Sequence, residues 1–220
     1  FKPIHRGAML ETYHDGTQEV VGTVFIDDCQ WDRLSEYNGD GVVIHNDTKG
    51  VVTLTNTKSV TYRKLPVSVT YGHYEVTFER DIASDHVDAA IWIGWDGNAG
   101  SSMTSPDNAI LLRTGGAPGI YINKTRVLGI PSLTPLVPGI PTTLVVDISG
   151  TSLTYKWGNE SPVTINSEYI ASIGKYVAIG GVNATTASRI LHISNIQIIA
   201  ASPDATNGIA ACIPPIGGGA

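Results

Sequence analysis

The amino-acid sequence predicts an all-β protein, a two-sheet antiparallel β-sandwich, and three observations indicate it. Apolar and polar residues alternate with a period of two in nearly every candidate strand, which turns one face of each strand towards a core. Turn-forming residues separate the strands at intervals of about 8–12 residues, as in sandwiches and barrels. No stretch keeps a helical period, and the 24 glycines and 12 prolines among 220 residues follow no repeat. A single sandwich domain accommodates this length.

The first half of the chain contains the clearest strand patterns. Residues 73–79 alternate, so that Tyr74, Val76 and Phe78 share one face. Residues 87–95 are more continuously apolar, which is typical of a strand covered on both faces. Trp92 and Trp95 lie three residues apart in this strand, so we expect their rings on opposite faces. Further strands are expected at 20–26, 41–45, 51–55, 60–63, 109–113 and 120–122.

The second half predicts a meander that follows a proline-rich connection at 129–141. Strands are expected at 142–148, 152–157, 163–165 and 176–180, with one helical turn at 169–173. The closing strand is expected at 190–199, and its residues Ile190, His192, Ser194, Ile196 and Ile198 share one phase of the alternation.

The two ends of the chain differ from this pattern. We expect an irregular N-terminal arm at 1–19, the sandwich at 20–199, and a glycine- and proline-rich tail or linker at 200–220. Several apolar side chains in the ends favour docking on copies of this protein or on other assembly subunits, with a disordered linker as the alternative. These side chains are Phe1, Ile4, Met9, Leu10, Ile209, Ile213 and Ile216.

Composition and charge exclude several classes of partner. Fourteen Lys and Arg against twenty Asp and Glu give a net charge of −6. No basic surplus is therefore available for nucleic acid or anionic lipid. No apolar run approaches the roughly 18 residues that span a bilayer. Charged residues make up 15% of the chain, below the usual ~25%. Together with many threonines, this favours an extracellular, cell-surface or virion location.

The two cysteines and four glycosylation sequons are compatible with that location. Cys29 and Cys212 either form one bridge that closes almost the whole domain or remain two unrelated thiols. A bridge would stabilise the fold by about 2–5 kcal/mol. The candidate glycosylation sites are Asn46, Asn123, Asn159 and Asn183, of which the third is weakened by a following proline.

Two segments resemble the concanavalin A-like, laminin-G-like jelly-roll domains. The first is Phe25-Ile-Asp-Asp-Cys-Gln-Trp31, which resembles the opening of such domains. The second runs over 143–198 and includes Val177-Ala-Ile-Gly-Gly181 and Ile193-Ser-Asn-Ile-Gln-Ile198. The resemblance covers about 20–199 and implies two antiparallel sheets, one of them concave, with Val24 and Ile26 paired near the closing strand. In the arm, His5-Arg-Gly-Ala-Met-Leu10 is similar to segments that open domains in phage tail and fibre proteins.

The resemblance also implies two kinds of enzyme, because domains of this fold include glucanases and polysaccharide lyases. Retaining glucanases carry Glu-x-Asp-x-x-Glu on one strand. The nearest match here has Glu79 and Asp81 but Ser84 in place of the third acid. Glu79, Asp81 and His73 are therefore weak catalytic candidates. The residue types of a lyase site also occur, at Arg63, His45, His73, Tyr121 and Tyr155, but the usual lyase strings are absent.

Binding residues are expected near turns. Trp95, Asp96, Asn98 and Tyr121 are the candidates for glycan binding, with Trp31 and Trp157 as further aromatic residues. A buried tryptophan is the alternative for at least two of them. Six histidines show no zinc spacing. Carboxylates that could hold a structural calcium, or cap turns instead, are Asp27, Asp28 and Asp107.

The function expected from these features is that of a non-catalytic extracellular structural or adhesion module. It would belong to a larger surface assembly of the fibre or virion type and would contact glycans. A polysaccharide-active enzyme and a free lectin are the two alternatives. No cofactor is expected beyond a structural calcium ion.

Overall fold

The computed structural model describes the backbone of residues 11–14, 20–27, 38–39, 42–46, 49–54, 60–64, 71–84, 87–95, 105–173, 176–182 and 189–201. Side chains are described at 72–84, 87–95, 105–173, 177–181 and 189–199. Within these residues the strands form two antiparallel sheets that pack face to face, so the predicted sandwich is confirmed.

The larger sheet has nine strands in the described residues. They are β1 (Glu11–His14), β2 (Val20–Asp27), β4 (Val42–Asn46), β5 (Lys49–Leu54), β7 (Tyr71–Arg80), β12 (Thr142–Ser149), β13 (Ser152–Trp157), β14 (Val163–Asn166) and β16 (Arg189–Ala201). Their order is β1-β2-β16-β7-β12-β13-β14, while β5 pairs with β16 beside β2, and β4 pairs with β5.

The smaller sheet has seven strands in the same described part of the chain. They are β3 (Asn38–Gly39), β6 (Val60–Lys64), β8 (Asp88–Trp95), β9 (Asn108–Arg113), β10 (Gly119–Ile122), β11 (Thr125–Gly129) and β15 (Tyr176–Val182). Their order is β11-β10-β9-β8-β15-β6-β3.

The expected pairing of early and late strands is confirmed. Val24 is opposite Ile199 and Ile26 is opposite Gln197 in the β2–β16 ladder. The arm at 1–19 is not wholly irregular, because β1 lies within it and pairs with β2. Threonine and tyrosine inside β1 favour a pleated strand. The motif at 5–10 and the tail beyond Ala201 lie outside the described residues.

The main core lies between the two sheets. Tyr74, Val76 and Phe78 of β7 are at most 1% exposed, as their alternation predicted. From the facing sheet, Ile91 and Ile93 of β8 enter the same cluster. This agreement follows from the period of two, which holds along β7.

A bulge at Gly94 overturns the expectation that Trp92 and Trp95 face opposite ways. Tyr176 pairs with Trp95 and the next residue of β15 pairs with Ile93, so Gly94 is the extra residue. Both tryptophans consequently join one buried cluster. Gly94 has φ +69°, and a Cβ at this position would lie 2.5 Å from Ile173, which explains the need for glycine.

A second irregularity interrupts β16. Its register with β7 shifts between Ser194 and Gln197, and Asn195 has φ +51°. Before the shift the odd-numbered side chains of β16 point into the core, and after it the even-numbered side chains do. The single shared phase expected for the closing strand is wrong, because the core residues are Leu191, Ile193, Ile196 and Ile198.

The predicted helical turn is present as a 3₁₀ helix, Glu168–Ser172. Ser167 caps it, since its hydroxyl accepts a hydrogen bond from the backbone N–H of Tyr169. The proline-rich connection runs along the sandwich with Leu133 and Leu136 buried, each 3% exposed.

Candidate functional site

A groove of about 580 Å³ lies between the proline-rich connection and the turn that joins β13 to β14. Val137 and Ile140 form its apolar wall and are 55% and 53% exposed. Asn159 and Glu160 form the opposite, polar wall, and both are exposed. Among the described residues, Ile82 just after β7 is the other large aliphatic side chain that is this open to solvent. The groove therefore offers an apolar surface and hydrogen-bonding groups to one ligand.

The apolar wall is built on a tight turn. The N–H of Ile140 donates to the carbonyl of Val137 at 3.2 Å, with Pro138 and Gly139 between them. Gly139 has φ +70°, and Pro-Gly at the central positions is the signature of a type II turn. Leu133 and Leu136, which precede the turn, are buried in the core. Val137 and Ile140, at the two ends of the turn, remain exposed to solvent.

The turn is also attached to the larger sheet. The N–H of Gly139 donates to the carbonyl of Arg80 at 2.9 Å, and Arg80 forms an isolated bridge with Pro138. Proline fixes φ near −65°, so little backbone freedom remains to be lost when a ligand binds.

The polar wall is held by the β13–β14 turn. The N–H of Glu160 donates to the carbonyl of Trp157 at 2.9 Å, and Gly158 between them has φ +51°. Gly158 itself donates to the carbonyl of Thr143 at 2.8 Å. The turn is thus fixed to β12 as well as to its own strands.

A hydrogen-bond relay connects the two walls. The indole Nε1 of Trp157 lies 3.1 Å from both the carbonyl and the hydroxyl of Thr134 and donates to them. The Thr134 hydroxyl in turn donates to Oε1 of Glu160 at 2.6 Å. The buried indole, 3% exposed, therefore orients a carboxylate that is open to solvent.

Glu160 is the charged residue of the groove among the described residues that line it. Burial raises the pKa of the neighbouring Tyr155, and the negative charge of Glu160 raises it further. The hydroxyl of Tyr155 points towards the carbonyl of Pro131 at 3.5 Å. Tyr155 is therefore a neutral residue of the main core.

Of the aromatic residues expected to bind glycans, Trp157 lines this groove, whereas Trp95 and Tyr121 do not. Trp95 is 0% and Tyr121 is 3% exposed, so neither presents its ring to a ligand. Both belong to a second buried cluster, with Trp92 and Leu111, on the outer face of the smaller sheet. The Tyr121 hydroxyl donates to the carbonyl of Ala117 at 2.6 Å. Asp96, Asn98 and Trp31 lie outside the described residues.

The weak catalytic candidates are separated and have structural partners. Nδ1 of His73 is 2.7 Å from Oδ1 of Asp147, whereas Asp81 is hydrogen-bonded to His192 at 2.9 Å. At about 3.3 Å per residue, His73 and Glu79 are roughly 20 Å apart along β7. The hydroxyl of Ser84 accepts a hydrogen bond from the N–H of Ile190 at 2.9 Å. The strand end at 79–84 is therefore a structural corner.

The lyase-type residues are not brought together either. His45 lies in β4 of the larger sheet and Arg63 in β6 of the smaller sheet. Tyr121 is in the second cluster, and Tyr155 is 4% exposed in the main core. These positions do not converge on one face.

The calcium candidates show no assembled site in the described part of the chain. Oδ1 of Asp107 is 3.4 Å from the ammonium of Lys124, and Asn108 accepts from the N–H of Asn123 at 3.2 Å. No group of three or more His, Cys, Asp or Glu side chains that could hold a metal occurs among the described residues. Asp27 is described by its backbone alone, and Asp28, Cys29 and Cys212 lie outside the described residues.

Two of the glycosylation candidates are exposed, namely Asn123 and Asn159. Asn123 and Lys124 have φ of 48° and 65° and form the two-residue turn of the β10–β11 hairpin. Asn46 is in β4, and Asn183 lies outside the described residues.

Apart from Trp157 and the glycosylation candidate Asn159, the sequence did not point to the groove residues. The Pro-Gly pair at 138–139 and the Gly-Asn pair at 158–159 were visible as turn signals. Nothing in their spacing shows that the two turns face each other, because that proximity arises from the path of the connection over the sandwich.

No family model matches the sequence, and no characterised protein matches it. Solved structures do resemble the fold. A variant of the Emp46p carbohydrate recognition domain is 14% identical with a TM-score of 0.57, over 77% of this chain and 90% of that one. A lectin from Bauhinia forficata in complex with GalNAc is 14% identical with a TM-score of 0.53, over 83% and 99% of the two chains.

An enzyme also resembles this fold. The xylan β-1,4-xylosidase from Bacillus halodurans is 13% identical with a TM-score of 0.54, over 79% of this chain and 38% of the enzyme. The Emp46p domain has been solved in metal-free and potassium-bound forms. At these identities the likenesses show the fold alone, which is that of a concanavalin A-like sandwich. In the described residues, no helix is long and apolar enough to cross a membrane.

Proposed function

We propose that this concanavalin A-like sandwich is a non-catalytic glycan-binding module and that the groove between the two turns holds the saccharide. The observation that carries the proposal is the pairing of two exposed aliphatic side chains, Val137 and Ile140, with the polar groups of Asn159 and Glu160. A pyranose ring has an apolar C–H face and a rim of hydroxyls. The two walls of the groove complement these two parts.

The rigidity of the groove supports the same proposal. Each wall is a hydrogen-bonded turn, and Thr134 connects Trp157 in the floor to the carboxylate of Glu160. Because these groups are ordered before a ligand arrives, binding costs less side-chain and backbone entropy. Similarity to two carbohydrate-binding proteins adds support from the fold.

A location outside the cell and a role in a larger surface assembly complete the proposal. The low content of charged residues and the apolar ends of the chain favour such a role. The wider function would then be adhesion, with the groove as the glycan contact and the ends as attachments to neighbouring subunits.

Glycan-array screening of the full chain, followed by titration calorimetry with the best saccharide, tests the proposal. We expect Ile140→Ser and Asn159→Ala each to weaken binding by about tenfold, or 1.4 kcal/mol. Tyr169→Ser and Asn166→Ala are matched controls on other exposed surface and should bind normally. The proposal would be refuted if no saccharide binds with a Kd below about 1 mM, or if the test and control variants change the affinity equally.

A polysaccharide-active enzyme is the second candidate because a xylosidase resembles the fold. We expect no depolymerisation of β-glucan, alginate or xylan, since Ser84 binds the backbone at the position of the missing acid. Release of reducing ends or unsaturated products, lost in Glu79→Gln or His73→Ala, would establish the enzyme instead.

A further inference from the structure

We propose that the groove selects glycans that carry free, protonated amines, such as oligomers of glucosamine, over glycans that carry carboxylates. This inference rests on the proposed function and names the ligand class of the same groove. It follows from the charge and hydrogen-bonding capacity of the groove, which are set by Glu160 and its neighbours.

The first step concerns charge. Glu160 is the charged side chain among the described residues that line the groove, whose other polar members are threonines and Asn159. No cation is paired with Glu160 in the part of the chain that the structure describes. Its negative charge is therefore uncompensated there and repels a uronate carboxylate placed beside it. The net charge of −6 acts in the same direction.

The second step concerns hydrogen bonds. An ionised carboxylate only accepts hydrogen bonds, and two oxygens provide about four acceptor positions. The Thr134 hydroxyl occupies one of these positions on Oε1. The remaining positions require donors, and an ammonium group supplies three donors together with the opposite charge.

The third step concerns orientation. The carboxylate is held by Thr134, which is held by the indole of Trp157. Val137 and Ile140 form the facing wall and supply contacts for the C–H face of the sugar. A cationic sugar that lies on this wall can place its amine at Glu160 without movement of either turn.

Titration calorimetry of the full chain with three oligosaccharides tests the inference. The probes are a glucosamine hexamer, its fully N-acetylated counterpart and an oligogalacturonate, at about pH 5.5, where the amines are protonated. We expect the amine form to bind at least about fivefold more tightly than the acetylated form and the uronate to bind most weakly. Salt at about 0.5 M should reduce the preference for the amine.

Glu160→Gln preserves the shape of the side chain and removes its charge. It should abolish the preference for the amine, and because the amide oxygen still accepts a hydrogen bond, binding of the acetylated oligomer should fall less than binding of the amine form. Glu168→Gln, on the exposed first turn of the 3₁₀ helix, is the matched control and should keep the preference. A preference that survives Glu160→Gln, or a uronate that binds as tightly as the amine, would overturn the inference.

The same titrations separate this inference from the proposed function. Binding of the acetylated oligomer that is weakened by Ile140→Ser, without any preference for amines, would refute the inference and leave the glycan-binding function standing. If none of the three oligomers binds, the inference is refuted, and the glycan array decides the proposed function.

Discussion

His73 shows how a single side chain on the outer face of the larger sheet responds to its neighbours. Its Nδ1 is 2.7 Å from Asp147 across the β7–β12 ladder, and Nε2 is 3.9 Å from Glu75. The hydrogen bond to Asp147 is the main cause that raises the pKa of His73, and the charges of Asp147 and Glu75 add to it. Partial burial of the ring opposes these effects. The charged form of His73 is therefore favoured by folding.

This shift predicts a pH-dependent contribution to stability. Because the folded pKa exceeds the unfolded value of about 6.5, the contribution is complete below about pH 6.5 and is lost as pH rises through the folded pKa. Asp147 is mostly exposed, so the pair is screened by solvent and we expect about 0.5 kcal/mol. His73→Gln should lower the free energy of unfolding in urea at about pH 5.5 and have a smaller effect at about pH 9. If His73→Gln lowers the free energy of unfolding equally at both pH values, the raised pKa of His73 does not contribute to stability.

Gly94 provides a second prediction at the residue scale. A Cβ at this position meets both a positive φ and a contact of 2.5 Å with Ile173. Gly94→Ala should lower the free energy of unfolding by about 2–4 kcal/mol, from backbone strain and overpacking together.

Two other glycines separate these causes. Gly139 has φ +70° with open space around it, so Gly139→Ala should cost about 1 kcal/mol from strain alone. Gly129 has neither feature, and Gly129→Ala should be nearly neutral. Chemical denaturation that ranks the three variants in another order would show that the bulge tolerates a side chain.

At the scale of elements, a buried ion pair fastens β8 to β9. Arg113 and Asp88 each have side chains 7% exposed and form a salt bridge at the edge of the core. Backbone hydrogen bonds from Thr114 to Ala89, and from Ala89 to the Thr114 hydroxyl, enclose the pair. The glycine at 115 leaves room for it, since a Cβ there would lie 2.5 Å from the Asp88 carboxylate.

Removal of one partner should be costly. Asp88→Asn leaves the buried charge of Arg113 without its counter-ion, and we expect a loss of about 3–5 kcal/mol in the free energy of unfolding. The double variant Asp88→Asn, Arg113→Met should recover part of this loss, because no charge then remains to be compensated. A double variant that is less stable than Asp88→Asn would contradict this explanation.

The elements also show which parts of the structure the sequence could predict. The alternation of β7 gave the correct core face because the ladder is regular there. The faces of Trp95 and of the closing strand were predicted wrongly, since one extra residue in a bulge reverses every later side chain. The groove could not be predicted, because Glu160 and Val137 meet only through the fold. Their turns were visible, but the partner of each turn was not.

At the scale of the molecule, the two outer sheet faces differ. The smaller sheet carries a second buried apolar cluster that includes Trp92 and Trp95, both 0% exposed. The outer face of the larger sheet carries polar side chains, with Asp147 exposed and Glu75 and Thr154 half-buried. The candidate glycan site lies at neither face but at the rim, where the connection crosses the end of β13.

The proposed assembly role predicts self-association of the full chain. We expect size-exclusion chromatography with light scattering to show an oligomer for residues 1–220 and a smaller mass for residues 11–201, which retain β1 and all of β16. Docking several apolar side chains of the ends would offset the cost of ordering them. If both proteins are monomeric at high concentration, the assembly role is refuted, and the proposed glycan site is unaffected.

The position of β16 has a consequence for the synthesis of the chain. One edge of this strand pairs with β5 and β2, while its other edge pairs with β7. The earlier described strands of the larger sheet therefore pair with a strand that follows all of them in the chain. Contacts so distant in sequence slow folding, and they leave sheet edges open meanwhile. The nine strands described for this sheet can therefore assemble only after β16 has been synthesised.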